Sequence, residues 1–190
     1  MVMLPVQKVS AGWKLDLKND VWTVVEYQHH KPGKGGAIVR LKIKSLTTGR
    51  VLEETYPASA SVDVTEVVYR KMAYLYKDGD DFVFMDSQTY EQTTIPAAVL
   101  GDRARFLMEN LECSVVSWND KVIGVDMPAK VDMKVVETYS AQRGDTATNV
   151  TKDATLESGY VAQVPLFINR GDTIRIDTRD GSYESRVSTG

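Results

Sequence analysis

The segment Lys31-Pro32-Gly33-Lys34-Gly35-Gly36 stands between two runs that read as β-strands, and it constrains this chain more than any other feature. Val21-Trp22-Thr23-Val24-Val25-Glu26-Tyr27 precedes it, and Ala37-Ile38-Val39-Arg40-Leu41-Lys42-Ile43-Lys44 follows. Both runs are rich in β-branched and aromatic residues, and the second alternates apolar with basic, as a half-buried strand does. Between them Pro32 fixes φ, while Gly33, Gly35 and Gly36 admit the positive φ of a tight reversal. The spacing predicts a hairpin with Lys34 at its tip, a lone cation with little bulk around it. Arg40, Lys42 and Lys44 would then line one face of the returning strand.

A chain of 190 residues admits one large domain or two to three small ones. Its 43% hydrophobic and 26% charged residues are those of a folded globular protein rather than a disordered one. No apolar run reaches the ~18 residues of a membrane span, and the start, Met1-Val2-Met3-Leu4-Pro5, lacks the basic flank of a signal peptide. Cys113 is the only cysteine, which excludes an internal disulfide and suits a reducing compartment. The expectation is a cytoplasmic protein with no membrane contact.

Net charge is −3, which argues against a simple basic nucleic-acid binder. Its distribution is uneven. Residues 1–63 hold nine basic and six acidic side chains, residues 64–127 six and eleven, and residues 128–190 eight and nine. The positive excess thus coincides with the third that carries the Lys34 hairpin, as it would if that end approached a polyanion.

Along the chain, short alternating runs recur with turn signals between them, predicting an all-β protein of small barrels. In the first third, Trp13–Leu17 alternates, Asn19-Asp20 reads as a turn, and Thr48-Gly49 marks another before Val51–Tyr56. The small, polar stretch Ala58–Ser61 places a first boundary shortly after it, and Pro128 a second, giving domains 1–63, 64–128 and 129–190. In the middle, Val67–Tyr76 and Phe82–Met85 flank the Asp78–Asp81 turn. A helix is expected over Arg103–Met108 with Asp102 as its N-cap, and Cys113–Trp118 and Lys121–Met127 flank Asn119-Asp120. The last third offers Val131–Thr138, Tyr160–Val164, Thr173–Asp177 and Tyr183–Val187, with Asp180-Gly181 as a hairpin turn. Five-stranded barrels of the oligonucleotide-binding type would fit both later thirds, and periodicity alone does not distinguish them from another small barrel.

Local chemistry removes several readings of these residues. Gly33-Lys34 is not a P-loop, because Gln28 stands where that motif needs Gly, Gly35 stands where it needs Ser or Thr, and no helix follows. His29 and His30 point to opposite strand faces and have no cysteines near, so no metal site is expected. Asp78-Gly79-Asp80-Asp81 lacks the spaced ligands and terminal Glu of a calcium loop and reads as a turn. Cys113 sits in an apolar strand and reads as a small core residue. Gly144-Asp145-Thr146-Ala147-Thr148 is a polar loop of small residues that by chemistry alone reads as an ordinary connection, though its exposed backbone and hydroxyls could contact RNA edges. A Schiff-base role for Lys34 would need a desolvated pocket, and flanking glycines favour exposure.

Many short stretches in order carry a family pattern. They begin with Lys31-Pro32-Gly33-Lys34-Gly35-Gly36-Ala37, Leu46-Thr47-Thr48-Gly49-Arg50-Val51 and Tyr74-Leu75-Tyr76-Lys77-Asp78-Gly79-Asp80. Phe84-Met85-Asp86, Thr89-Tyr90-Glu91-Gln92, Gly144-Asp145-Thr146-Ala147, Ala154-Thr155-Leu156 and Val164-Pro165-Leu166-Phe167-Ile168 follow. Ile176-Asp177-Thr178-Arg179 and Gly181-Ser182-Tyr183-Glu184-Ser185-Arg186-Val187 close it. In this order and spacing the chain resembles the bacterial elongation factor P family over essentially its whole length. It departs from the pattern at Ser140-Ala141, where the family usually has Pro-Gly, and at Asp153, where it usually has Pro.

The resemblance implies a KOW/SH3-like barrel followed by two oligonucleotide-binding barrels, in an L shape that mimics tRNA. It implies a monomeric, non-enzymatic translation factor without a cofactor or metal. Such a factor binds the 70S ribosome, its RNA and proteins, between the peptidyl and exit tRNA sites. There it relieves stalling on consecutive prolines through contact with the prolyl peptidyl-tRNA. Lys34 matches the tip residue that many members modify, often by β-lysylation, which implies a lysine-modifying enzyme as a partner. Lys31, Pro32, Gly33, Gly35 and Gly36 would support the tip. Gly144, Asp145 and Thr146 match a loop near the exit-site codon, and Tyr183 and Arg186 match residues that face RNA; Arg40, Lys42 and Lys44 would hold RNA phosphate. Two rivals are a paralogue with another range of stalling motifs and a general single-strand RNA-binding protein.

Overall fold

In the computed structural model, residues 2–31, 36–139 and 151–190 are described. The N-terminal sheet is built from β1 (Val2–Pro5), β2 (Lys14–Leu17), β3 (Asp20–His30), β4 (Ile38–Ser45), β5 (Val51–Pro57) and β6 (Ser61–Thr65), in the order β1-β6-β2-β3-β4-β5. Its pairs are antiparallel, so short turns suffice to join neighbours. The β2–β3 reversal uses Lys18 and Asn19, both at positive φ, with Leu17 opposite Asp20. That turn lies one residue earlier than the sequence implies. Alternation holds on β4, where Val39, Leu41 and Ile43 are buried and Arg40, Lys42 and Lys44 are exposed. A 3-10 turn, Val6–Lys8, drops the fully buried Val6 into the same core.

The middle sheet comprises β7 (Val68–Asp78), β8 (Asp81–Asp86), β9 (Gln92–Ile95), β10 (Glu112–Trp118) and β11 (Lys121–Asp126), ordered β11-β10-β7-β8-β9. The C-terminal sheet comprises β12 (Lys130–Thr138), β13 (Thr151–Leu156), β14 (Val161–Pro165), β15 (Thr173–Asp177) and β16 (Tyr183–Ser188), ordered β14-β13-β12-β15-β16. Counted from their own first strands, both run third, second, first, fourth, fifth. In the C-terminal sheet β14 also approaches β16, which brings the two edges together as a five-stranded barrel requires.

The helix expected over Arg103–Met108 is absent. A single α-turn, α1 (Ala97–Leu100), begins after Pro96, and a 3-10 segment, Gly101–Phe106, follows it. Gly101 sits at φ +54, which breaks the α-conformation, and Asp102 makes no side-chain cap. A segment this short cannot stabilise a helix by its own hydrogen bonds. It is fixed instead by Phe106, which is 1% exposed and buried with Val131, Met133 and Ile176 in the C-terminal barrel's core.

The chain packs as two compact units, Met1–Arg70 with Val115–Gly124, and Lys71–Ser114 with Val125–Gly190. Within the first, the Trp118 indole N–H donates to the Thr65 hydroxyl at 2.9 Å. Within the second, the Phe106 ring meets the Tyr160 ring edge-on at 5.0 Å, and the Tyr160 hydroxyl donates to the Gly181 carbonyl at 3.0 Å. A Cβ on Gly181 would lie 2.2 Å from that hydroxyl, and its φ of +80 is itself a glycine conformation.

Because Phe106 fills a core built mostly by another sheet, Phe106→Ala should lower stability by about 3–5 kcal/mol. The loss should appear as a shift of the urea midpoint of β-sheet signal from the C-terminal barrel. Phe106→Leu, which keeps most of the volume, should lose clearly less.

Candidate functional site

The hairpin of β3 and β4 is paired from Trp22 opposite Ser45 out to His30 opposite Ile38, with a bulge at Val25. Seven residues, 31–37, join the strands, and Lys34 is their midpoint in sequence. Pro32, Gly33, Lys34 and Gly35 lie outside the described residues. Lys31 and Gly36 are described, and both are exposed. Gly36 does not use its freedom: its φ is not left-handed, and a Cβ there would meet open space.

What supports the tip is firmly built. β4 is paired on its other edge with β5, from Lys44 opposite Val51 to Ile38 opposite Pro57. The Ala58 N–H then donates to the Ala37 carbonyl at 2.8 Å, continuing the brace one residue beyond the strand. At the far end of the hairpin, the Ser45 and Thr47 hydroxyls donate to the Asp20 carboxylate at 2.6 and 2.8 Å, closing the Leu46–Arg50 turn onto β3. From Gln28 to His30 every β3 residue is exposed, so this part of the strand reaches past the core it is anchored in.

The exposed face of β4 is less basic than its own sequence suggests. Lys42 stands between Glu26 on β3 and Glu53 on β5, so carboxylates flank it on both sides. Arg40 stands between Gln28 and Thr55, and Lys44 between Thr23 and Val51. Glu26, Gln28, Arg40, Lys42 and Glu53 ring a cavity of about 230 Å³ on this face. Arg40 and Lys44 therefore remain the cations without a carboxylate directly across the ladder.

In the C-terminal barrel, Gly144, Asp145 and Thr146 lie outside the described residues, in the stretch between β12 and β13. Next to it, Lys152 is 2% exposed, and its ammonium donates to the Tyr139 carbonyl at 2.6 Å. Burial pulls the Lys152 ammonium below its ordinary value, and the charge of Asp172 opposes that pull. Tyr183 and Arg186 are brought together on β16. Tyr183 packs against the core, and burial is the leading cause of its raised pKa, opposed by the nearby Arg186 charge.

Sequence reasoning missed the residues that hold Arg186. Its guanidinium lies 3.6 Å from the Asp172 carboxylate and 5.2 Å from the centre of the Phe167 ring. Asp172 is 3% exposed and accepts hydrogen bonds from the Asn169 N–H at 2.9 Å and the Gly190 N–H at 3.2 Å. The Asn169 N–H is the main cause holding this carboxyl below the usual range, with the Gly190 N–H and Arg186 adding to it against desolvation. No local motif announces this hub, because its members are spread over the 23 positions from Phe167 to Gly190.

Among the described residues, no group of three or more His, Cys, Asp or Glu side chains is placed to hold a metal, and no helix is long and apolar enough to cross a membrane. Cys113 is buried in β10, and burial pushes its thiol up to about 11, far from a reactive thiolate.

Comparison with known proteins matches three domain families in sequence: the elongation factor P KOW-like domain over residues 6–62, its OB domain over 67–125, and its C-terminal domain over 131–186. Elongation factor P of Chloroflexus aggregans is 49% identical over 189 residues, covering 94% of this chain and all of the relative. That of Desulfitobacterium hafniense is 46% identical over 185 residues, covering 97% and all of the relative. The chain belongs to the elongation factor P family. It is a translation elongation factor by that membership, and membership implies interaction with the ribosome. Among solved structures, translation initiation factor 5A of Methanococcus jannaschii aligns with a TM-score of 0.50 at 25% identity, covering 65% of this chain and 95% of its own. A factor 5A family protein of Naegleria fowleri aligns at 0.51 and 15% identity, covering 66% and 98%, a likeness of fold.

The 178–182 turn between β15 and β16 depends on Asp177. Its carboxylate accepts from the Arg179 side chain and, at 2.9 Å, from the Arg179 N–H, and these bonds hold its pKa down to about 2. A carboxyl lowered on folding contributes stability above its unfolded pKa of about 3.9 and loses it as pH falls through the folded value. Asp177→Asn should therefore destabilise the barrel most above pH ~4, and the gap to wild type should close as pH falls toward ~2. Urea midpoints measured across that range check it.

Proposed function

We propose that this factor binds the 70S ribosome between the peptidyl and exit tRNA sites and promotes peptide-bond formation where translation stalls on consecutive prolines. The observation that carries the reading is the hairpin: its returning strand, β4, is braced on both edges to its first residue, with Lys34 at the midpoint of the seven residues that join it to β3. Family membership supplies the setting. The domains we assign, 1–63, 64–128 and 129–190, divide the work: the first delivers Lys34, and the third contacts RNA through Gly144, Asp145, Thr146, Tyr183 and Arg186.

Proline is a poor nucleophile and a constrained peptidyl donor, so its slow reaction is a problem of positioning. A cation held beside the terminal nucleotides of peptidyl-tRNA restricts that end and favours the attack geometry. Proximity and orientation supply up to about 7–11 kcal/mol in well-aligned systems, so a small part of that range accounts for relief of a stall. The ribosome performs the chemistry, and this chain acts as a monomeric cytoplasmic cofactor to it rather than as an enzyme. Lysine suits the tip because its amine is a compact charge and an attachment point for a modifying enzyme. Arg40 and Lys44 steady the hairpin on RNA phosphate, and Lys42 contributes less because Glu26 and Glu53 flank it.

That charge compensation disfavours a general single-strand RNA binder, which relies on an uninterrupted basic groove. A paralogue with another range of stalling motifs shares every feature above, and the stalling profile of a deletion strain separates the two.

Lys34→Ala should abolish relief of a polyproline reporter while leaving translation of a proline-poor control unchanged. Intact mass of the protein from its native host should exceed the sequence mass by one adduct, lost in the same variant. Full relief by Lys34→Ala contradicts the proposal.

A further inference from the structure

The chain has four phenylalanines, and the fold treats one of them differently. Phe82, Phe84 and Phe106 are 7%, 0% and 1% exposed, whereas Phe167 is 54% exposed. A single exposed aromatic is ordinary on a protein surface. This one is held in place from both sides. Its carbonyl accepts from the Asn169 side chain at 3.2 Å, the next residue, Ile168, is fully buried, and the Ile168 N–H donates to the Pro165 carbonyl at 3.1 Å. The turn is thereby fixed while the ring stays out. Arg186 reaches this ring from β16, its guanidinium carbon 5.2 Å from the ring centre.

One buried carboxylate sets both parts. Asp172 accepts from the Asn169 N–H in the turn that carries Phe167, and it pairs with Arg186 on the strand alongside. The guanidinium thus lies over the ring and within ion-pair distance of Asp172, and a guanidinium carries five N–H donors, more than one carboxylate contact engages. An aromatic ring and a guanidinium plane at fixed spacing offer what an unpaired nucleotide needs. A π-face takes the base, and donors take the phosphate.

We propose that Phe167 and Arg186 form a stacking site for one unpaired nucleotide of ribosome-associated RNA, with Asp172 as the positioning residue that fixes their spacing. This deepens the function proposed above and rests on it for the identity of the RNA, though not for the chemistry of the site. Phe167 contributes a contact that is insensitive to salt, and Arg186 contributes one that is salt-dependent.

The test measures binding of the full-length protein to purified 70S ribosomes across a series of salt concentrations. Phe167→Ala should weaken binding by about 5- to 100-fold, with the slope of log affinity against log salt unchanged. Phe167→Trp should restore it, and Phe167→Leu, which keeps apolar bulk without a π-face, should not. Arg186→Ala should weaken binding and reduce the slope by about one. Thermal melts should leave Phe167→Leu within the wild-type range, separating a binding loss from a folding loss. A photoreactive phenylalanine at position 167 should label ribosomal RNA.

Binding of Phe167→Leu within twofold of wild type, or labelling of ribosomal protein alone, overturns the site. The two proposals fail separately. Loss of ribosome affinity in Phe167→Ala beside full polyproline relief by Lys34→Ala keeps this site and rejects the tip mechanism. Unchanged affinity in the Phe167 variants beside loss of relief in Lys34→Ala does the reverse.

Discussion

The antiparallel ladder on both edges of β4 is the interaction on which the rest depends. A two-stranded hairpin in water is marginal, and its end frays. Here β5 follows β4 to its first residue, and the Ala58 N–H to Ala37 carbonyl bond carries the brace one residue further. Because Val39, Leu41 and Ile43 face the core, a slip of one residue would turn all three to solvent, so burial locks the register. The joining residues therefore start from a fixed base. A flexible amine becomes useful in orientation catalysis only when the backbone beneath it has already lost its freedom.

The C-terminal barrel solves a related problem with charge instead of hydrogen-bond ladders. Asp172 and Asp177 are both buried carboxylates whose pKa values are lowered by hydrogen bonds to the charged form. Each organises a cation next to a turn: Arg186 beside the Phe167 turn, and Arg179 within the 178–182 turn. Surface ion pairs alone contribute little, roughly 0–1 kcal/mol. The effect here is positional: Asp172 ties two backbone N–H groups and a guanidinium to one point, and Asp177 ties one backbone N–H and a guanidinium.

Much of this was legible in the sequence. Alternation put Arg40, Lys42 and Lys44 on one exposed face, and Asn119-Asp120 reversed the β10–β11 hairpin with both residues at positive φ, as a two-residue turn requires. Other elements were hidden for physical reasons. Thr151–Leu156 reads as polar, yet it is a strand whose inward residues are Lys152, Ala154 and Leu156; a buried lysine satisfied by a carbonyl does not look like a core residue. Ser61–Thr65 and Val2–Pro5 are short strands that pair with each other, a long-range choice that no local window contains. The helix expected over Arg103–Met108 gave way because Gly101 breaks the backbone and Phe106 is fixed by another sheet's core. Flanking carboxylates at Lys42 and the convergence on Asp172 are likewise properties of pairing and of the fold, not of spacing.

The proposed function requires a braced hairpin, and not merely a lysine near the right place. Its most direct test is the single-turnover rate of Pro–Pro bond formation in a reconstituted translation system. The variant to compare carries Gly-Gly inserted both after His30 and before Ile38, so that Lys34 is retained but uncoupled from the ladder. The rate should fall to that of ribosomes without the factor while ribosome binding stays at the wild-type level. Full acceleration by the loosened hairpin would contradict it.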